Sequence, residues 1–409
     1  MRTGANFPGI GNFNEKVVLH AIRQSRGISQ TELVARTGLA TQTVSVIVNQ
    51  LLAKGEARVS GLQSVGRGRP RTILELVPGA RLSIGIHVDP SVVTTVILDL
   101  AGQVVASAHS QEVLAEGPEG ATAATATLVH ELIKDSGVDA HRILGACLAT
   151  PGAVDSRNGC MLQPLWMPAW DRFPIRERMA AHLGMPVDFV KDTLAAVTGE
   201  TWLRADAADD TSMVFMYIGT GTGVGISING EAAGGSSGNG GEIGRLLVNL
   251  GQNDTGDAFA GRGMDNDPAI LVRRTIQSGT LDGSLDSTRT LAGIDTGFRR
   301  LCRLAGDGHE AAREILTAAG RRVASAAAVV AEIIDADDVV FGGPYWKLVE
   351  EFYFPECVRA LAEPSGDIRH PVRVTGSSMG HDVGAIGAAA RVLDGHYTPR
   401  ASTLATDEH

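Results

Sequence analysis

The chain has 409 residues, of which 44% are hydrophobic and 20% charged, with a formal net charge of −10. At roughly 150 residues per domain this length suggests two or three domains with a core large enough to need no staples. The four cysteines are scattered without a CxxC pair, and the best apolar run, Val323 to Ile334, is short and contains Glu332, so a disulfide framework, a zinc knuckle and a membrane span are excluded. The amino terminus carries no basic-then-apolar signal pattern, and a reducing, cytoplasmic location is expected.

Overall acidity argues against nucleic acid, but the charge is unevenly divided. Residues 1–81 hold 11 Lys and Arg against Glu15, Glu32, Glu56 and Glu75, a net +7 that leaves −17 on the remainder. A small basic module on a large acidic body is the layout of a DNA-binding head joined to a separate sensor or enzyme.

Asn14 is a candidate cap for a first helix whose apolar positions Val17, Val18, Ala21 and Ile22 have helical spacing, and Gly27 ends it. Ser29 followed by Glu32 forms a capping box for a second helix that buries Leu33 and Val34. After the Thr37-Gly38-Leu39 turn, a third helix runs from Thr41 to Lys54 with Val44, Ile47, Val48, Leu51 and Leu52 on one face. Thr41, Gln42, Thr43 and Ser45 crowd its first turn, the end that enters the major groove in a helix-turn-helix. Glu56 to Leu76 read as a hairpin wing with strands Ala57–Val59 and Thr72–Leu74. Its tip, Gly66-Arg67-Gly68-Arg69-Pro70, followed by Arg71, is a narrow extended cation suited to a minor groove. A recognition helix followed by such a wing predicts a winged helix-turn-helix that binds double-stranded DNA.

After Pro78 the pattern turns to strands: Leu82–Val88, Val92–Leu100 and Gln103–Val105. A similar hairpin recurs at Met213–Ile218 and Val224–Ile228, around the turn Gly219-Thr220-Gly221-Thr222-Gly223. Further strands are expected at Ile143–Ala149, Val187–Val190 and Val339–Phe341. Helices are expected at Ala121–Ser136, Ile175–His182, Thr193–Arg204, Asp307–Asp335 with a break, and Val383–Leu393. A comparable hairpin opening each half predicts a duplicated α/β fold, two actin-like lobes with a cleft between them.

The chain resembles the ROK family of repressors, open reading frames and sugar kinases, in particular its regulator branch, over nearly its whole length. The markers, in order, are the wing ending in Gly-Arg-Gly-Arg-Pro; Ala149-Thr150-Pro151-Gly152; Lys191-Asp192-Thr193; Gly219 to Gly225; Gly241-Glu242-Ile243-Gly244; Gly342-Gly343; and Ser378-Met379-Gly380 running to Ala390. The resemblance implies an α/β fold in which a winged helix-turn-helix (1–78) precedes a two-lobed, actin-like (ribonuclease H-like, ASKHA) sugar-kinase body. Lobe I would span 79–200, completed by a helix at about 380–396, and lobe II 201–379, with 397–409 expected to be disordered.

The resemblance implies three devices in the family's kinases, a phosphate turn, a catalytic carboxylate and a zinc loop; here the first is damaged, the second survives and the third is missing, while the second glycine-rich turn, Gly219 to Gly223, and Gly342-Gly343 are intact, as tight turns between strands require. Where they have an Asp-x-Gly-Gly-Thr phosphate turn, His87-Val88-Asp89-Pro90-Ser91 has lost both glycines and offers an extra carboxylate, Asp89, and a proline with no N–H, Pro90, instead. Asp192 stands at the position of the catalytic base, where a helix N-cap would equally explain an aspartate, but the preceding sugar-contacting asparagine is Lys191. The metal histidine of the zinc loop is Arg245, and the loop's cysteine positions carry Leu250, Gln252 and Asp257, with Phe259 in place of a sugar-binding glutamate. No zinc, no other cofactor and no catalysis are therefore expected.

The expected function is a transcriptional regulator, a repressor of carbohydrate genes, acting as a homodimer or higher homo-oligomer whose body senses a sugar or sugar phosphate through Lys191, Asp192, Glu242 and Arg245. The two added cations suit a phosphorylated or acidic sugar unless they pair with Asp192, Glu242 or Asp257. Control by a protein partner without a sugar effector, and an active sugar kinase, are the alternatives.

Overall fold

Helix α1 (Gly9–Arg23) begins five residues before Asn14, which lies inside it and caps nothing. Phe13 stands four residues before Val17 on one helical face, so extending the helix toward the amino terminus adds hydrogen bonds without breaking the apolar stripe. The computed structural model describes residues 9–63, 71–204, 211–244, 246, 266–362 and 370–399. Strand β1 (Ile28–Ser29) leads into α2 (Gln30–Thr37), whose capping box forms as expected: Ser29 Oγ accepts from Glu32 N at 3.3 Å and the Glu32 carboxylate accepts from Ser29 N at 2.8 Å. Gly38 closes the helix at φ +69°. Helix α3 (Thr41–Ala53) buries Val44, Ile47, Val48 and Leu51 against Val18, Ile22 and Leu33. The wing strands β2 (Ala57–Gln63) and β3 (Arg71–Leu76) pair antiparallel and run longer than expected, with a bulge between Val59 and Gly61. The tip carrying Arg67 and Arg69 lies outside the described residues.

The body holds two five-stranded sheets. Sheet I contains β4 (Leu82–Val88), β5 (Val93–Asp99), β6 (Val104–Ser110), β7 (Ile143–Thr150) and, after the small hairpin β8 (Ala153–Asp155) and β9 (Cys160–Leu162), β10 (Val187–Lys191). Sheet II contains β11 (Met213–Ile218), β12 (Thr222–Ile228), β13 (Glu231–Ala232), β14 (Asp338–Gly342) and β15 (Arg373–Gly376). The spatial orders are β10-β7-β4-β5-β6 and β13-β12-β11-β14-β15. In each, the first three strands form an antiparallel meander, the fourth pairs in parallel with the first and the fifth in parallel with the fourth, so the two sheets repeat one topology. Parallel additions require crossovers, and helices supply them.

Helices α4 (Gly117–Ser136) and α5 (Ile175–Leu183) close the outer core of sheet I around Ile84, Ile86, Val129, Met179 and Phe189. After α6 (Asp192–Leu203), sheet II is covered by α7 (Pro268–Gln277), α8 (Leu291–Gly306), α9 (Glu310–Ile334) and α10 (Trp346–Ala362). The helix expected from Asp307 with a break is instead an unbroken α9 that starts at Glu310. Gly308, at φ +93°, turns the chain out of α8, and His309 caps α9 by accepting from Ala312 N.

Helices α6 (Asp192–Leu203) and α11 (Val383–Tyr397) occupy the centre. They cross with glycine against glycine: a Cβ on Gly387 would stand 2.1 Å from Ala195 O, and one on Gly199 2.8 Å from Gly387 Cα. On its other side α6 lies against β12, where a Cβ on Gly225 would stand 2.3 Å from Thr193 O. No helix among the described residues is long and apolar enough to cross a membrane. The four cysteines are buried free thiols.

Candidate functional site

A cleft cavity of about 250 Å³ lies where β10 ends and α6 begins. Lys191, Asp192 and Thr193 line it from the first lobe, and Tyr217, the turn at 220–223, Glu242 and Asp267 from the second, with Trp166 on the wall. Asp192 is not the N-cap of α6. Lys191 holds that position with extended backbone and no side-chain cap bond, and Asp192 is the first helical residue. Its Oδ1 accepts from Thr193 N at 2.7 Å. Burial pushes this carboxyl up to about 7, against the pull of the Lys191 ammonium and the Thr193 N–H. A carboxyl raised on folding keeps a proton that the unfolded chain releases, so stability falls as pH rises from about 4 toward 7. Asp192→Asn is expected to remove that loss. Its melting temperature should gain on the wild type between pH 4 and pH 8, and a difference independent of pH would contradict the buried setting.

Lys191 and Glu242 come together as an ion pair that bridges the two lobes. The Lys191 side chain is 5% exposed and that of Glu242 59%. A second bridge lies beside it: Asn239 Oδ1 accepts from Val154 N, and Asn239 Nδ2 donates to Val154 O, both at 2.7 Å. The fourth predicted effector residue, Arg245, lies outside the described residues. Among the described residues that line the cleft, Asp192, Glu242 and Asp267 face one cation, Lys191, whose charge Glu242 already engages.

The turn at 89–92 and the glycine-rich turn at 219–223 both hold internal hydrogen bonds. Asp89 Oδ1 accepts from Ser91 N at 2.9 Å and from Ser91 Oγ at 2.5 Å, and Asp89 N and Val92 N bond each other's carbonyls. In the second turn Gly219 N donates to Gly221 O at 2.9 Å and Thr222 N to Asp267 Oδ1 at 3.2 Å. The N–H groups so used are not free to cradle a phosphate, and a carboxylate oxygen accepts from each turn. Gly223 and Gly225 owe their identity to the close approach of Thr193 on α6. The loop 250–259 that replaces the zinc loop lies outside the described residues. Among the described residues no cluster of three or more His, Cys, Asp or Glu could hold a metal.

On the head, Thr41 and Gln42 are exposed, and Thr43 and Ser45 half-buried, at the start of α3. Val46, 57% exposed, and the exposed Asn49 continue the Gln42 face at helical spacing. Sequence reading missed both, although their positions four and seven residues after Gln42 carry the signal. An exposed Val offers apolar contact to a thymine methyl. Arg71 is half-buried on β3, and the exposed Arg58 pairs with Glu75 at 3.1 Å.

The carboxyl end of α6 touches the head. Arg23 Nη1 donates to Trp202 O at 2.7 Å, and its guanidinium stacks 3.9 Å from the centre of the Trp202 ring. Lys16 donates to Gly395 O at the end of α11, and Tyr397 and Arg81 both bond Glu56. Two residues beyond Trp202, Arg204 bonds Glu200 at 3.0 Å and Asp338, on sheet II, at 3.1 Å. A cavity of about 300 Å³ separates His20, Arg23 and Gln24 of the head from the Asn229-Gly230 hairpin of the second lobe.

The ROK family profile matches residues 83–394 of this chain and the MarR family profile residues 12–68. The transcriptional regulator Mb0495 of Mycobacterium bovis is 25% identical over 398 residues, 93% of this chain and 85% of that protein. The xylose repressor of Bacillus spizizenii is 25% identical over 237 residues, 58% of this chain and 61% of that protein. An uncharacterized Sinorhizobium fredii protein is likewise matched over 58% of its length, so these two relatives are covered over less than two thirds. A crystal structure of a ROK family transcriptional regulator, a homolog of the E. coli MLC protein, superposes with a TM-score of 0.72 at 20% identity, covering 95% of this chain and 97% of that one. The chain belongs to the ROK family, with a MarR-like winged helix-turn-helix at its amino end.

Proposed function

We propose that this ROK family member is a DNA-binding transcriptional regulator, a repressor of carbohydrate-metabolism genes, that acts in the cytoplasm as a homodimer or higher homo-oligomer. Its kinase-like body binds an effector in the cleft and transfers no phosphate. The observation that carries the reading is α6, which starts in the cleft at Asp192 and reaches the head at Trp202, about 15 Å away. Loss of both turn glycines at 89–90, with Asp89 in the first turn and Asp267 accepting from the second, supports a body without kinase chemistry. The named regulators and the xylose repressor among its relatives support the repressor role.

The head reads bases through Gln42, Thr43, Ser45, Val46 and Asn49, with Thr41 near the backbone and the wing arginines 67, 69 and 71 on the minor groove. A dimer would present two such helices to major grooves about 34–36 Å apart, so a small rotation of each head decides whether both engage. Purified protein is expected to retard fragments of its own promoter region, with affinity falling steeply as salt rises. Gln42→Ala combined with Asn49→Ala should weaken operator binding about tenfold to a hundredfold and leave non-specific binding unchanged. No retardation of any promoter fragment by the wild type at low salt would remove the proposal.

The engaged Lys191–Glu242 pair turns the effector reading from a phosphorylated toward a neutral sugar. The same pair also favours a second reading. A cleft bridged by its own side chains needs no small molecule to close, and a protein partner could then set the switch. Calorimetry with neutral sugars separates the two.

A further inference from the structure

Tyr217 lies on β11 and lines the cleft, with 4% of its surface exposed, yet its hydroxyl has no hydrogen-bond partner among the described residues. The Thr193 hydroxyl, buried at the start of α6 and lining the same cavity, has none either. Native proteins seldom keep buried polar groups unpaired, and those they keep mark places where water or a ligand completes the bond. Tyr217 packs beside the glycine-rich turn at 219–223, where a Cβ on Gly219 would stand 2.8 Å from its Cε1. Tyr217, on β11, and Asp192, at the start of α6, line the same cavity from its two sides.

We infer that Tyr217 is a specificity-determining residue of the cleft, its phenol and the Asp192 carboxyl together gripping one hydroxyl of a neutral, unphosphorylated sugar. This rests on the reading of the cleft as an effector site. In a kinase a carboxylate at this place takes the proton of the hydroxyl that attacks phosphorus. Here the same hydroxyl is held instead of transformed. The sugar O–H donates to Asp192, and the Tyr217 O–H donates to the sugar oxygen. The Thr193 hydroxyl is placed to complete a neighbouring contact, and Trp166 and Leu165 offer an apolar wall for the C–H face of the ring. A phosphate on the gripped hydroxyl would meet the Asp192 carboxyl, with Lys191, the one cation among the described residues that line the cleft, engaged by Glu242. Discrimination against the phosphorylated form follows from charge alone.

The test uses the full chain, a panel of neutral aldopentoses and aldohexoses that includes D-xylose and D-glucose, and D-glucose 6-phosphate. Thermal shift finds the binding sugar, and calorimetry measures it against the wild type and Tyr217→Phe. The sugar is expected to bind Tyr217→Phe about tenfold more weakly, and the phosphorylated sugar to bind the wild type at least about tenfold more weakly than its neutral parent. Without sugar, Tyr217→Phe should melt no lower than the wild type, because the hydroxyl it loses has no partner. Equal sugar affinity in the variant, tighter binding of the phosphate, or a sugar-free variant that melts several degrees lower would each overturn the assignment. A panel in which nothing raises the wild-type melting temperature removes the sugar-effector reading itself, a result distinct from wild-type-like binding by the variant.

Discussion

Gly387→Val is expected to unfold the body, at a cost of about 4 kcal/mol or more. A side chain at 387 would place its Cβ 2.1 Å from Ala195 O and 2.4 Å from Ala195 C, which are backbone atoms of α6. They cannot swing aside as a flexible side chain would. Moving α6 away by the needed ångström would also pull it off the β12 strand, where Gly225 approaches Thr193 O just as closely. Gly85→Ala should behave alike, since its Cβ would lie 1.9 Å from Ala385 O on the opposite flank of α11. Gly395→Ala, near the end of the same α11, is the control. Its Cβ would meet nothing within 4 Å, and trading glycine for alanine in a helix should stabilise by about 0.5–1 kcal/mol. Urea unfolding followed by circular dichroism ranks the three. A Gly387→Val protein with native stability would mean that α6 and α11 do not cross at this point.

Those glycines also explain what could be read from the sequence. Local devices were legible because their chemistry is contained in a few residues. The Ser29–Glu32 box, Gly38 at the end of α2 and the apolar face of α3 all form as expected. Asn14 has the right chemistry for a cap, but the helix runs through it, since capping preference is weaker than a continuing apolar stripe. Gly320 looks like a break in α9, yet the helix continues because a glycine is what lets Tyr353 of α10 approach, with its Cα 3.0 Å from where a Cβ would be. Helix α8 was passed over although Ile294, Phe298, Leu301 and Ala305 carry helical spacing.

At the site, Lys191, Asp192 and Glu242 were legible as neighbours through family resemblance, and the structure brings the three together. Whether Lys191 would keep its charge for a ligand or spend it on Glu242 was not, because 51 residues separate partners whose distance only the closed lobes decide. Tyr217 was hidden in a strand whose six residues are all buried, where an aromatic reads as core. Arg23 and Trp202 lie 179 residues apart, and no local pattern joins them.

That last contact leads to the second large effect. Lys191→Glu would set two carboxylates against each other across the cleft in place of the Glu242 ion pair, and is expected to lower operator affinity about tenfold or more, a coupling of about 1.4 kcal/mol. Repulsion there parts the lobes next to the amino end of α6. The carboxyl end of α6 is held to sheet II by Arg204 on Asp338 and to the head by Arg23 on Trp202, so the helix cannot follow one lobe without tilting under the head. The cavity between the head and the Asn229-Gly230 hairpin leaves room for that tilt. Arg23→Met removes the stacked cation and its bond to Trp202 O while keeping much of the side chain's bulk. Alone it should alter operator affinity by no more than about threefold, and in its presence Lys191→Glu should have little further effect. The charge swap Lys191→Glu with Glu242→Lys should restore wild-type affinity, because it rebuilds the bridge with its sign reversed. Fluorescence anisotropy on one operator fragment at fixed salt measures all five proteins. If the effects of Lys191→Glu and Arg23→Met simply add, the cleft and the head are independent, and α6 is only a strut.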